Sequence, residues 1–198
     1  MRTTKKAAMF GLDARVALAI FGALSVITGV SLYNALKESK VTALITELDN
    51  VEKAVTQYYL DTGLYPAEQA ADSGRLKAEE LISSTVSGWE GPYINFNDNA
   101  DPNDGLVLHP IYTDVSIFRN IDGIWDVPSF PFSTCSSIGA DNCNIFTCYS
   151  GVPVDIMDAV ESKLDSTVSN FNGNIRTTGG NTLCRKGMTY NKILAPAL

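Results

Sequence analysis

The sequence predicts an α+β protein in which one long N-terminal helix packs on a small antiparallel sheet. Three observations carry this prediction. Val16 to Leu36 is a run of 21 residues without a charged side chain. Apolar residues then recur at steps of three and four from Val41 to Tyr58, with one adjacent pair, which is the period of a helix with one buried face. Beyond Gly63 the chain turns to short apolar runs separated by turn formers, with few strand–helix alternations, a pattern that favours an antiparallel sheet over a parallel one.

The first element is set by its charge pattern. The 198 residues are 45% hydrophobic and 19% charged, which excludes a disordered or low-complexity chain. The net charge of −7 argues against a general nucleic-acid binder, which should be basic. That charge is unevenly spread: residues 1–15 carry a net of +3 and the remainder a net of −10. An uncharged run of 21 residues is long enough to cross a bilayer core, which takes about 20 helical residues. The basic residues before it favour a cytoplasmic amino end. A cleaved secretory signal peptide fits poorly, because the run is long and passes into further helix without a break.

The second half of the helix is amphipathic. Val41, Leu44, Ile45, Leu48, Val51, Val55 and Tyr58 form one stripe, with Lys37, Lys40, Glu47, Glu52 and Lys53 on other faces. No proline occurs before Pro66, and Asp61-Thr62-Gly63 supplies the stop, since glycine readily adopts the left-handed conformation that ends a helix. A continuous helix from about Ala14 to Leu60 would extend roughly 70 Å at 1.5 Å per residue.

In the globular part, Leu106–Leu108, Val115–Phe118 and Ile145–Tyr149 read as strands. Pro153 to Leu164 reads as a helix with Ile156, Met157, Val160 and Leu164 on one face, and a short helix is expected around Leu76–Ile82. Four cysteines, Cys135, Cys143, Cys148 and Cys184, all follow the apolar run. An even count on an exported side points to an oxidising compartment. Of the three possible pairings, Cys135–Cys143 closes a short turn-rich loop and Cys148–Cys184 ties one strand to a later one; this pairing is favoured. A zinc site lacks the C-x-x-C spacing and has only the distant His109 to draw on.

Candidate chemistry is sparse. The stretch Asn95–Gly105 concentrates oxygen ligands, and Asp98, Asp101 and Asp104 could hold calcium, which takes six to eight oxygens from flexible loops. The spacing is not that of an EF-hand, and a solvated acidic loop explains it as well. His109 lies near Asp114, but no nucleophile stands beside them in sequence. GxSxG, P-loop and GxGxxG motifs are absent. Trp89 and Trp125 read as packing residues.

Several segments together resemble the type IV pilin and type II secretion pseudopilin superfamily. The stretch Lys5–Gly29 can be laid on the family's basic leader, cleavage point and apolar helix without gaps. In that frame Ala8 precedes the cut, Met9 becomes the first mature residue, Asp13 takes the acidic fifth position and Gly22 the mid-helix glycine. Tyr58–Pro66 is similar to the family's helix-to-loop junction, and Gly88-Trp89-Glu90-Gly91-Pro92-Tyr93-Ile94 to a motif of major pseudopilins. The family usually has Gly, Phe and Glu where this chain has Ala8, Met9 and Asp13, and a proline where it has Val30. A cut after Gly11 would instead put Val16 at the acidic position.

The resemblance implies a leader at 1–8, a membrane and filament-core half-helix at 9–36, an amphipathic half-helix at 37–61 and a globular domain at 62–198. It implies a non-enzymatic subunit: a homopolymer processed by a prepilin peptidase and assembled by an inner-membrane platform. The precursor would sit in the inner membrane and the product in a periplasmic or cell-surface filament. Asp13 would pair with the freed amine of Met9 on a neighbouring subunit. Major pseudopilins often bind calcium, though no ligand motif carries across. The Trp89–Ile94 motif favours a secretion pseudopilin and the disulfides a pilin or minor pilin. A tip-located binding module with its ligand site in Asn120–Asn144 is the alternative, and a membrane-anchored hydrolase a poorer one.

Overall fold

The computed structural model describes residues 6–69, 74–98, 101, 104–122, 143–165, 173–178 and 181–190. Its contacts divide into two compact units, 1–40 and 41–198. The first unit is helical from Lys6. The helix, α1, is assigned over Lys6–Thr62 and is closed by the device expected from its sequence. Gly63 has φ +71°, and its N–H donates to the carbonyl of Tyr59 at 2.9 Å, the αL type of C-terminal cap.

The second unit is an α+β domain. After α1 come β1 (Arg75–Leu76), a 3₁₀ turn (Ala78–Leu81), β2 (Asn97–Asp98), β3 (Leu106–Leu108), β4 (Asp114–Ile121), β5 (Cys143–Ser150), α2 (Val154–Leu164), β6 (Ile175–Thr178) and β7 (Thr182–Thr189). The strands form one sheet in the order β2-β3-β4-β5-β7-β6, with β1 also pairing β4. All described pairings are antiparallel.

Period-two alternation sends Val115 and Ile117 of β4, Ile145 and Tyr149 of β5 and Leu183 of β7 into one core. The stripe Val41, Leu44, Leu48, Val51, Val55 and Tyr58 of α1 fills that core from the helix side, each residue at most 1% exposed. Ile156, Met157 and Val160 of α2 join the same cluster. Each such aliphatic side chain contributes about 1.5–3 kcal/mol on burial, and this offsets the entropy of ordering the chain. The alternate residues Phe118, Phe146, Cys148 and Cys184 form a second cluster, with the guanidinium of Arg176 5.0 Å from the Phe146 ring centre.

One expectation needs correction. The short helix predicted around Leu76–Ile82 is split: Arg75–Leu76 pairs as a strand with Phe118 and Ile117, and only Ala78–Leu81 coils, as a 3₁₀ turn. Strand pairing captures the leading residues because β4 offers them open backbone partners. Strands β1, β2 and β6 were not anticipated, and β7 was expected only as the later strand that holds Cys184. Trp125, Cys135 and most of Asn120–Asn144 lie outside the described residues.

Candidate assembly helix and the junction at its end

The apolar run forms an unbroken stretch of helix. Eleven large hydrophobic residues between Val16 and Leu36 are each at least 52% exposed. The helix that carries this run is long and apolar enough to cross a membrane. The serine and threonine side chains of the run bond back to the helix. Ser25 Oγ donates to the carbonyl of Phe21 at 2.8 Å, Thr28 Oγ1 to that of Leu24 at 2.9 Å and Ser31 Oγ to that of Ile27 at 3.0 Å. Where no water can compensate a bare donor, this back-bonding lets the segment enter an apolar phase. Beside Gly22 and Gly29 there is open space around the missing Cβ, so both leave the helix surface free for close approach by another chain.

Asp13 lies in the helix with its residue exposed, while the backbone across Ala8–Met9 is already helical. An acidic residue near a helix N-terminus is favoured by the helix dipole, so its position alone assigns it no partner.

Around the end of α1, the two segments that resemble the pilin superfamily meet. Tyr58 Oη donates to Glu80 Oε2 at 2.7 Å, and the N–H of Ala67 reaches the same oxygen at 3.1 Å. Trp89 donates its indole N–H to the carbonyl of Glu80 at 3.0 Å. Tyr93 Oη donates to Asp61 Oδ2 at 2.8 Å. The ring centres of Tyr58 and Tyr93, and of Trp89 and Tyr93, are both 5.9 Å apart and edge-on. Gly88, at φ +88°, approaches so closely that an added Cβ would lie 2.4 Å from the carbonyl oxygen of Asp61. Only glycine permits that backbone contact. Burial first, then the hydrogen bond and charge of Glu80, push the Tyr58 hydroxyl well above the ordinary tyrosine range, so it remains a donor.

His109 is a packing residue. Its Nδ1 accepts the N–H groups of Ile111 and Tyr112 at 3.1 and 2.9 Å. The ring proton therefore sits on Nε2, which donates to Glu47 Oε2 on α1 at 2.9 Å. Tyr112 stacks on its face with ring centres 4.9 Å apart, and Phe96 and Tyr149 lie edge-on. Glu47, 62 residues away, was not legible as its partner. A second polar tie, Arg185 to Asp49 and Glu52, also joins the sheet to α1.

The Cys148–Cys184 disulfide bridges β5 and β7 at directly paired positions. Cys143 is also disulfide-bonded, while the expected partner Cys135 lies outside the described residues. Of the acidic loop, Asp98 and Asp101 are exposed. Asp104 Oδ1 accepts the N–H of Leu106 at 2.9 Å, and its carbonyl accepts from Arg75 Nη1 at 2.8 Å. Among the described residues no group of three or more His, Cys, Asp or Glu is arranged to hold a metal ion. Four residues of the loop, 99–100 and 102–103, are outside that description.

No curated protein and no solved structure matches the chain. A family model does, over residues 31–108: that of type II secretion system (T2SS), protein G. The matched span holds the later half of α1, the junction of Tyr58 with Glu80, Trp89 and Tyr93, and strand β3, and it supports a pilin/pseudopilin-type structural subunit, the superfamily its sequence resembles.

Proposed function

We propose that this protein is a structural subunit of a type II secretion pseudopilus or related type IV pilus-like filament, and that it works by polymerising. The observation that carries the reading is the exposed apolar helix of Val16–Leu36, continuous with the helix that the second unit uses as its core. Such a surface suits lipid before assembly and a bundle of like helices afterwards. The protein G match supports a secretion filament of several subunits, anchored first in the membrane.

In this reading a prepilin peptidase cuts between Ala8 and Met9, and an inner-membrane platform drives assembly. In an apolar bundle an uncompensated carboxylate is expensive, about 2.5–3.5 kcal/mol on insertion scales at the helix centre. Asp13 pairs with the new Met9 amine of the adjoining subunit, neutralising both charges and setting the axial offset.

Electron microscopy of source cells with subunit-specific labelling tests the class: label repeating along filaments is expected. Intact mass of the mature chain should correspond to an N-terminus at Met9, whereas an N-terminus at Leu12 would move the frame. Asp13→Ala should leave membrane-bound monomer abundant while abolishing most filament, and Asp13→Glu should assemble. Full assembly by the alanine variant would reduce Asp13 to a surface residue at the helix end.

A further inference from the structure

Within the second unit a groove of about 530 Å³ runs between α1 and the extended segment 93–96, a volume typical of ligand sites. Its helix side stretches from Glu47 to Gln57, ~15 Å at 1.5 Å per residue, the length of four or five extended residues at about 3.3 Å each. The buried side chains of Val51 and Ala54 form an apolar floor. The opposite lip is the segment Tyr93–Phe96, whose Tyr93, Ile94 and Phe96 side chains pack against the core. Among the described residues, the main-chain N–H and C=O groups of Ile94, Asn95 and Phe96 have no hydrogen-bond partner, although this stretch leads directly into β2.

The charges of the groove are separated along its length. Lys53 lies on the rim with no ion pair among the described residues. Glu47, six residues earlier, gives Oε2 to His109 and keeps part of its side chain in solvent. Asn50 and Asn95 add amides from the two lips, neither bonded within the described residues. A small rigid ligand would not use an unpaired strand edge; an extended polypeptide would, by adding its own main chain to it. We propose that this groove binds an extended peptide segment of another protein, carrying an acidic side chain that meets Lys53 and a basic one two residues away that meets Glu47. Backbone pairing to 94–96 supplies affinity, and the charge pair fixes the direction in which the peptide lies.

A displayed library of random nine-residue peptides, selected on the detergent-solubilised full chain, tests this. Enrichment of an acidic and a basic residue two positions apart is expected. Fluorescence anisotropy with the selected peptide should show at least a tenfold loss of affinity for Lys53→Glu, restored by exchanging the peptide's acidic residue for lysine. Asn50→Trp, on an exposed helix position, should block binding without altering the melt. Hydrogen exchange at Ile94, Asn95 and Phe96 should slow on binding. Failure of any peptide to enrich over the Asn50→Trp chain overturns the proposal, as do a consensus without an acidic residue and unchanged exchange at 94–96. If light scattering instead gives a dimer that Lys53→Glu dissolves, the groove is a contact between copies and the peptide reading falls.

Discussion

Tyr58 and Tyr149 are both 0% exposed, yet replacing each by phenylalanine should change stability in opposite directions. Tyr58 Oη donates to the Glu80 carboxylate at 2.7 Å. Removing it deletes a hydrogen bond to a charged group, which contributes about 1.5–3 kcal/mol, and leaves Glu80 with the Ala67 N–H on that oxygen. Tyr149 Oη is buried with no hydrogen-bond partner among the described residues. Burial, reinforced by the charges of Glu47 and Tyr112, pushes its hydroxyl far above the usual tyrosine range, so it stays protonated and simply lacks an acceptor. An unsatisfied buried polar group costs roughly 1–3 kcal/mol. Tyr149→Phe keeps the ring, with its edge-on contacts to His109 and Tyr112, and discards that cost. For a unit of this size 1 kcal/mol moves Tm by about 2–4 °C. Thermal melts of the full chain in detergent should place Tyr149→Phe a few degrees above the native protein and Tyr58→Phe several degrees below it. A Tyr149→Phe variant that melts lower would refute the reasoning, because its hydroxyl must then be hydrogen-bonded.

The remaining predictions concern the same unit. Glu79 has both carboxylate oxygens buried with no hydrogen bond from another described residue, and burial, aided by Asp98 and Glu80 and opposed by its own backbone N–H and by Lys77, raises it from 4.5 to about 7. The folded state therefore holds a proton that the unfolded chain has released, so stability should fall as pH rises from about 4.5 to about 7. Glu79→Gln should flatten that slope and raise Tm at pH 8; melts at several pH values decide, and an unchanged slope removes the claim. The Cys148–Cys184 bond closes a separation of 36 residues, for which chain entropy gives about 4 kcal/mol. The double variant Cys148→Ala/Cys184→Ala should lose ~2–4 kcal/mol by urea denaturation, and a loss under 1 kcal/mol would contradict the entropic account. Gly88→Ala forces a Cβ to 2.4 Å from the Asp61 carbonyl at φ +88°, so it should lower stability by about 2 kcal/mol or more; Gly22→Ala, with open space around it, should leave the melt unchanged.

What the sequence disclosed follows from the range of each signal. The stripe from Val41 to Tyr58 was legible because a helical period repeats over 18 residues and the core needs every member of it. Strands β3, β4 and β5 were found from dense apolar runs. Strand β7 was expected only as the later strand holding Cys184 and showed no apolar run of its own, because its inward positions alternate Leu183 with Arg185, whose charge is answered by Asp49 and Glu52 on α1. A buried or half-buried cation in a strand has a polar sequence signature, and its compensating partners lie more than 130 residues away. Strands β1 and β2 have two residues each, too few to show any period. His109 was read beside Asp114, its neighbour in sequence, whereas its hydrogen-bond partner is Glu47.

The junction shows how a local resemblance and a physical network can be the same thing. Tyr58–Pro66 and Gly88–Ile94 resemble the pilin superfamily as separate stretches, but in the fold they serve one purpose. Asp61 accepts from Tyr93, and its carbonyl forbids a side chain at position 88. Glu80, between the two stretches, collects Tyr58, Ala67 and Trp89. Every member of that network falls inside the span 31–108 that matches protein G. The disulfide between β5 and β7, helix α2 and the ties of Arg185 to α1 all draw on residues beyond 108. The cysteine-bearing half of the sheet lies outside that span, and mutations there should alter stability without altering the geometry at Tyr58, Asp61 and Tyr93.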